Sequence, residues 1–226
     1  MTVTDQLLGP PLRANPASPR ITHYDDNAGS RVELSGATLA NWAAKTANWL
    51  RDELDVQPGD TVAILLPPHW QTAGVLLGAW WCGATVTESA AGAQVALCGV
   101  ARLADVAGVD EVAAVGLDAL GQGIPVLPSG VRDYASEVRA HGDTFTAGAP
   151  SPDTSKVVAA ARARAAELSL SSGDRLLWTT GWDGAVPGEL LLAVFAADAS
   201  LVQCTGTDAA VLAERCAAER VTTSLH

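Results

Sequence analysis

The spacing of apolar residues between Ser35 and Leu54 is that of an amphipathic helix. Residues of one stripe recur at steps of three and four positions, while charged and amide side chains lie mostly off it. Ser35 has the side chain of an N-cap, and Pro58 and Gly59 end the helical pattern. The stripe consists of Leu39, Trp42, Ala43, Thr46, Trp49, Leu50 and Leu54.

Two almost wholly apolar segments follow this helix. Thr61–Leu66 is apolar on both faces, which is typical of a central strand in a parallel sheet covered by helices. Residues 71–82 are apolar nearly all round and predict a helix buried between layers, with a further strand at 83–87. Pro67 and Pro68 interrupt the run, so the uncharged stretch is too short to predict a membrane span.

Strands and helices alternate through the rest of the chain. Residues 21–25 and 31–34 predict a hairpin, and Asp208 is a good N-cap for a helix that ends near Glu219. We therefore expect an α/β fold, a layered domain with a mostly parallel sheet flanked by helices. The remaining predicted strands are 94–99, 111–115, 175–178, 200–204 and 221–225, and the remaining helices are 132–139 on the surface, 154–168 and 190–197.

The domain organisation follows from one segment rich in turn-forming residues. Residues 142–155 hold two prolines, two glycines and several hydroxyl residues, and predict an exposed loop. We expect a single domain over residues 1–226, with a first βα part at 1–141 and a second at 156–226.

Composition excludes several classes of function. The net charge of −11 opposes binding to nucleic acid or to an anionic membrane surface. The start of the chain lacks the basic and apolar regions of a signal peptide, so we expect a cytoplasmic protein. Its four cysteines lack metal-ligand spacing and are expected to be reduced and buried, with no metal site and no cofactor.

The order of motifs resembles the adenylate-forming superfamily, which includes acyl-CoA synthetases. Residues 56–64 (VQPGDTVAI) are similar to its "GVxxGDxVAI" turn and strand, and residues 77–84 (LGAWWCGA) to its "LAxxKAGA" helix end. Residues 170–204 resemble its "LxxGDRLL…GASLVL" passage. The resemblance implies part of the large N-terminal domain of acyl-CoA synthetases.

The resemblance also predicts where catalytic parts belong, and these parts differ here. The family's phosphate-binding loop, "TSGTTGxPKG", would lie before the helix near Lys156, where Thr146, Gly148, Ser151 and Lys156 are a degenerate remnant. Pro150 removes a backbone donor, and a solvated connector is the alternative interpretation. The chain ends at His226, before the family's "YGxTE" motif and the C-terminal domain with its catalytic lysine.

The family's acyl-pocket region corresponds to a segment with two tryptophans. A possible ligand pocket is formed by Trp178, Thr179, Thr180, Trp182 and Asp183, although the tryptophans could equally fill the pocket. The family's histidine is absent there. His69 precedes a helix without a carboxylate or cysteine partner, which favours a surface or capping role over that of a general base.

The functional hypothesis is a non-catalytic remnant of an AMP-dependent synthetase, a pseudoenzyme that acts in binding or assembly. We predict no catalytic residues and no ATP-dependent activity. The alternatives are a small protein that binds acyl or aryl acids, and a half-enzyme completed by a partner chain. Truncation of a large domain would expose sheet edges and apolar faces, which predicts a homodimer or association with a full-length synthetase.

Overall fold

The computed structural model describes residues 1–182 and 184–225. Its helices are α1 (Val3–Leu7), α2 (Gly9–Ala14), α3 (Gly36–Asp52), α4 (Trp70–Cys82), α5 (Tyr134–Val138), α6 (Thr154–Glu167), α7 (Glu189–Ala196) and α8 (Ala209–Ala218), with a 3-10 helix at Val100–Val106. Its strands are β1 (Pro19–Asp25), β2 (Ser30–Ser35), β3 (Thr61–Leu65), β4 (Thr85–Thr87), β5 (Val95–Cys98), β6 (Glu111–Ala114), β7 (Val131–Asp133), β8 (Arg175–Trp178), β9 (Ser200–Thr205) and β10 (Thr223–Leu225).

The strands form two sheets rather than one. The first sheet has the order β10-β8-β9-β1-β2, and the second has the order β4-β3-β5-β6-β7. Every pair is parallel except the β1–β2 hairpin, so the predicted α/β class with mostly parallel strands is confirmed. The first sheet combines strands from before and after residues 142–155.

Helices fill the space between the two sheets. The main core cluster contains Ile21 and Leu201 of the first sheet, Ile64 and Leu97 of the second, and Leu77 of α4. The backbones of α3 and α4 approach closely at Gly78. A side chain at that position would overlap Thr46 and the carbonyl oxygen of Ala43. The expectation of a helix buried all round is confirmed for α4, in which every residue but Trp81 is buried.

Local predictions about helix starts agree with the structure. The Ser35 hydroxyl accepts a hydrogen bond from the Thr38 amide at 3.2 Å, and the Asp208 carboxylate accepts one from the Ala210 amide at 2.9 Å. Both are N-caps that satisfy backbone donors otherwise left unpaired in the first turn.

Two local predictions were wrong. Residues 132–139 are not one surface helix, since β7 takes Arg132 and Asp133 into the second sheet and α5 buries Tyr134. The segment 142–155 is not wholly an exposed loop, because Ser151 is buried, whereas the predicted helix start at Thr154 is confirmed. The Ser151 hydroxyl lies 3.1 Å from that of Thr154, so this turn is anchored to the first turn of α6.

A cluster of paired charges, here called the α8 cluster, holds α8 on the outer face of the first sheet. The carboxylate of Glu219, at the end of α8, accepts hydrogen bonds from Arg31 at 2.8 Å, from Arg175 and from the Tyr24 hydroxyl. Burial by itself would raise the pKa of Glu219, but hydrogen bonds from Arg31, Tyr24 and Arg175 lower that pKa to about 2. The Thr22 hydroxyl is buried in this cluster and accepts from Arg175 at 2.9 Å.

Candidate functional site

A cleft lies where strands of both sheets end. Its volume is about 320 Å³, and it is bounded by the carboxyl ends of β1, β8 and β9 and by the residues that follow β3. Parallel α/β sheets place ligands at this edge, because the loops there leave a crevice beyond the strands. The cleft is lined by His23, Asp25, Pro67, Pro68, His69, Leu117, Thr179, Thr180, Gly181, Gln203, Thr205 and Gly206.

Strand register explains how distant residues meet in the cleft. In the parallel β1–β9 pair, His23 is opposite Gln203 and Asp25 is opposite Thr205. Residues at matched positions of neighbouring strands point to the same side of the sheet. The His23 Nε2 atom lies 3.2 Å from the Thr205 hydroxyl, which ties the two strands together at the floor of the cleft.

His69 enters the same cleft from the second sheet and also caps a helix. Its Nδ1 accepts a hydrogen bond from the Gln71 amide at 3.1 Å, which makes it the N-cap of α4. The capping role that the sequence favoured is confirmed, whereas the surface position is wrong, because His69 is 5% exposed. The His23 and His69 rings meet edge to face with centroids 4.5 Å apart.

Both imidazoles of the cleft are held in the neutral form. Burial, with a smaller contribution from the nearby His23, lowers the pKa of His69 to about 3. Burial also lowers the pKa of His23, partly opposed by the Asp25 carboxylate. Since Nδ1 of a neutral His69 accepts from a backbone amide, its proton is on Nε2, which is therefore a hydrogen-bond donor.

The predicted pocket residues divide between the cleft and the core behind it. Thr179 and Thr180 line the cleft, and no partner for either hydroxyl is found among residues 1–182 and 184–225. Trp182 is buried and donates from Nε1 to the Gln203 side chain at 2.7 Å, while Trp178 donates to the Gly181 carbonyl at 2.8 Å. The tryptophans thus support the cleft wall from behind, and Asp183 lies outside the described residues.

The remnant of the phosphate-binding loop is not near this cleft. The Ala149 carbonyl oxygen is close to Gly83: it lies 2.5 Å from the position that a Cβ on Gly83 would occupy. Pro152 packs beside Gly59. Gly83 ends α4, whereas His69 begins it at the cleft, and a helix of this length spans about 20 Å. Residues 146–152 therefore pass the opposite end of α4 from the cleft.

The four residues of that remnant do not form a constellation of their own. Ser151 is buried and bonded to Asp153 and Thr154, while Thr146, Gly148 and Lys156 are exposed. The second lysine of the chain, Lys45, is already engaged, with its ammonium 2.6 Å from the His141 carbonyl and 2.9 Å from Asp143. Neither lysine lines the cleft.

Clustered metal ligands and membrane-spanning helices are both missing from the described part of the chain. Within it, no group of three or more His, Cys, Asp or Glu side chains could hold a metal ion. Three of the cysteines are buried and free, as expected, and Cys216 is half-buried. None of the helices at residues 1–182 and 184–225 combines the length and apolar character that crossing a membrane requires.

Sequence reasoning missed the core of the cleft. These residues come from three separate segments, with His23 on β1, His69 before α4, and Gln203 and Thr205 on β9, and their proximity depends on strand order. The signal that could have found them is the position of polar residues at the carboxyl ends of predicted parallel strands, which applies to His23 and Asp25 on β1.

Comparison with known proteins first defines the class of the fold. Residues 13–96 match the family model described as AMP-binding enzyme. A Brucella canis acyl-CoA synthetase superposes with a TM-score of 0.75 at 18% identity, over 99% of this chain and 47% of that chain. The N-terminal domain of FACL13 from Mycobacterium tuberculosis superposes with a TM-score of 0.73 at 17% identity, over 99% of this chain and 62% of that chain.

The fold is therefore that of the N-terminal domain of acyl-CoA synthetases, and the chain is related to the adenylate-forming superfamily. It spans about half the length of the Brucella canis enzyme. A Mycobacterium tuberculosis (strain ATCC 25618 / H37Rv) protein named TIGR03089 family protein is 48% identical over 237 residues, which cover 98% of this chain and 97% of the relative. The chain belongs to this TIGR03089 family.

Proposed function

We propose that this protein is a binding module built on the adenylate-forming fold, which takes a small uncharged ligand in the cleft and does not activate carboxylic acids with ATP. The observation that carries the proposal is the absence of any lysine or arginine among the described residues of the cleft wall. A triphosphate binds where cations and converging backbone amides compensate its charge.

The electrostatics of the cleft support this proposal. Its histidines are neutral near pH 7, and Asp25 is the acidic residue among the described residues of its wall. A phosphate or carboxylate placed there would lose hydration and face a like charge without a counter-ion. A neutral molecule avoids both costs.

The position of the loop remnant supports the proposal as well. In the alignment of motifs, residues 146–156 hold the place of the phosphate-binding loop, yet they pass the far end of α4. Lys156 is solvent-exposed on α6 and does not line the cleft. Among the described residues that line the cleft, no lysine or arginine is therefore available to bind a phosphate beside Thr179 and Thr180.

Calorimetry with ATP and magnesium, together with a pyrophosphate-release assay over a panel of acyl and aryl acids, tests the proposal. A full-length acyl-CoA synthetase serves as the positive control in both assays. We expect neither heat of ATP binding nor acid-dependent pyrophosphate. Formation of an acyl adenylate by this chain alone would refute the proposal.

The predicted homodimer stays a prediction. Among the described strands, β10 and β2 are the edges of the first sheet, and β4 and β7 are those of the second. Light scattering over a wide concentration range tests it, and a constant monomer mass would contradict it.

A further inference from the structure

A second cavity opens next to the cleft, over the carboxyl edge of the second sheet. Its volume is about 550 Å³, and we call it the switch-point groove. The chain leaves β3 for β4 on one side and then returns to place β5 on the other side. The carboxyl ends of β3 and β5 thus flank a topological switch point, where the two outgoing loops diverge and leave a crevice.

The wall of the switch-point groove is mainly apolar. It is formed by Leu65, Leu66, Pro67, Gly99, Val115 and Leu117, together with neighbouring residues of the same loops. Its one cation among the described lining residues, Arg102, is ion-paired with Asp105 at 2.8 Å, and both side chains are about half exposed. The groove therefore suits a hydrocarbon chain or ring rather than an anion.

The groove and the cleft share part of their walls. Pro67 and Leu117 line both cavities. Leu117 has a φ of 52°, a left-handed conformation that is unfavourable for leucine and persists only where surrounding structure maintains it. One molecule that passes Leu117 could occupy both cavities.

We infer that the cleft and the switch-point groove form one site for a neutral amphipathic ligand, with an uncharged amide-like head in the cleft and an apolar chain in the groove. This inference rests on the proposed function, because it names the ligand class for the same cleft. It adds a second compartment and a preference for an amide over the corresponding acid or amine.

The head group follows from the hydrogen-bonding atoms of the cleft. Nε2 of the buried His69 is a donor and needs an acceptor, such as a carbonyl oxygen. The Thr179 and Thr180 hydroxyls can accept from the N–H₂ of an amide. A carboxylate has no counter-ion here, and an ammonium group cannot accept from His69. Oδ1 of Asp25 already accepts hydrogen bonds from the Asn27 and Ala28 amides at 3.0 and 3.3 Å.

Gly99 offers a way to close the groove without disturbing the fold. Its φ of −70° and ψ of 153° suit any L-residue, and nothing lies within 4 Å of a Cβ built there. Gly99→Leu should therefore fill the groove, and Gly99→Ala should narrow it. Gly148 also has open space around a Cβ and lines neither cavity, so Gly148→Leu is a matched control.

The experiment is calorimetry at pH 7.5 with straight-chain amides from butanamide to octanamide, and with octanoate and octylamine. We expect octanamide to bind at least tenfold more tightly than either charged analogue. Affinity should rise by about fourfold for each added methylene, the gain typical of burying one such group. Gly99→Leu should remove this dependence on chain length, Gly99→Ala should reduce it, and Gly148→Leu should leave it intact.

A second variant separates the two proposals. Thr180→Val removes a hydroxyl of the cleft and should weaken amides of every length by one common factor, with chain-length dependence unchanged. Amide affinity could instead depend on Thr180→Val but neither on chain length nor on Gly99→Leu. That result would overturn the two-compartment site without contradicting the proposed function of the cleft. Tighter binding of octanoate, or no binding of any amide up to millimolar concentration, would also overturn this inference. Binding of ATP with magnesium would refute the proposed function itself.

Discussion

The α8 cluster and the cleft are two buried polar regions that solve the problem of desolvation in opposite ways. In the α8 cluster, Glu219 keeps its charge because Arg31 and Arg175 surround it. In the cleft, His23 and His69 lose theirs because no sufficient counter-charge faces them. Buried groups remain ionised only where interactions with partners offset the free-energy cost of desolvation.

The two regions also differ in how many hydrogen-bonding atoms remain available. The Thr22 hydroxyl in the α8 cluster both donates to Glu33 at 3.0 Å and accepts from Arg175. The Thr179 and Thr180 hydroxyls of the cleft have no partner among the described residues. A satisfied network is typical of a structural role, whereas unused polar atoms in a concave wall are typical of a binding site.

The largest expected effect is on the α8 cluster. Glu219→Ala leaves two arginines without their central partner and should lower the free energy of unfolding by about 3 kcal/mol. Urea denaturation at pH 7 measures the loss. Glu219→Gln, which keeps the shape and some hydrogen bonds, should cost less. A loss for Glu219→Ala of under about 1 kcal/mol would mean that the cluster behaves as an exposed ion pair.

The next largest effect is a difference in the pH range over which each region changes the free energy of unfolding. The pKa of His69 is about 3 when folded and ordinarily about 6.5, so below pH 6.5 the unfolded chain binds a proton that the folded chain does not. Stability should therefore fall as pH drops from 6.5 towards 3, by roughly 2 kcal/mol for His69 at pH 5. Glu219 has the same sign but a lower pH window, since its stabilisation is complete above 4.5 and is lost as pH falls from there through about 2.

Thermal unfolding at pH 7, 5 and 3 in the wild type and in His69→Ser tests this separation. The variant should lose less stability than the wild type between pH 7 and pH 5. Equal losses in both proteins over that interval would show that His69 does not carry the effect.

A smaller effect should report on helix capping at the cleft. His69→Ala removes the acceptor for the Gln71 amide and should cost about 1 kcal/mol at pH 7. His69→Ser restores an N-cap and should recover most of that loss. If serine and alanine are equally destabilising in urea denaturation, packing of the ring, rather than capping, explains the role of His69 in stability.

The smallest effect compares two threonines directly. Thr22→Val breaks satisfied hydrogen bonds of the α8 cluster and should cost about 1 kcal/mol. Thr179→Val removes a hydroxyl without a described partner, so the free energy of unfolding should stay within about 0.5 kcal/mol of the wild type. A large loss for Thr179→Val would indicate that the cleft hydroxyls serve the fold instead of a ligand.

Local structure was largely predictable from the chain. The hairpin of β1 and β2, the caps at Ser35 and Asp208, and the buried helix α4 all follow from patterns within a few neighbouring residues. The burial of Ser151 and the strand β7 were not predicted, because tertiary contacts bury Ser151 and draw Arg132 into the second sheet.

The candidate site was only partly predictable. The segment 178–183 was identified through a family resemblance, and its threonines do line a cleft. The histidines were not expected to meet, since His23 is on β1 of the first sheet and His69 lies in the connection that follows β3 of the second. The place assigned to a phosphate loop proved to be at the far end of α4, a position that depends on how the chain packs around that helix.

The amino-acid sequence by itself determined the order and type of most elements, their caps and the acidic character of the chain, because propensity and hydrophobic periodicity act over short distances. Only the tertiary structure decided which strand ends meet and which titratable groups lose water. The division into a charged α8 cluster and a neutral cleft arises there, since the ionisation of a buried group depends on neighbours that are remote along the chain.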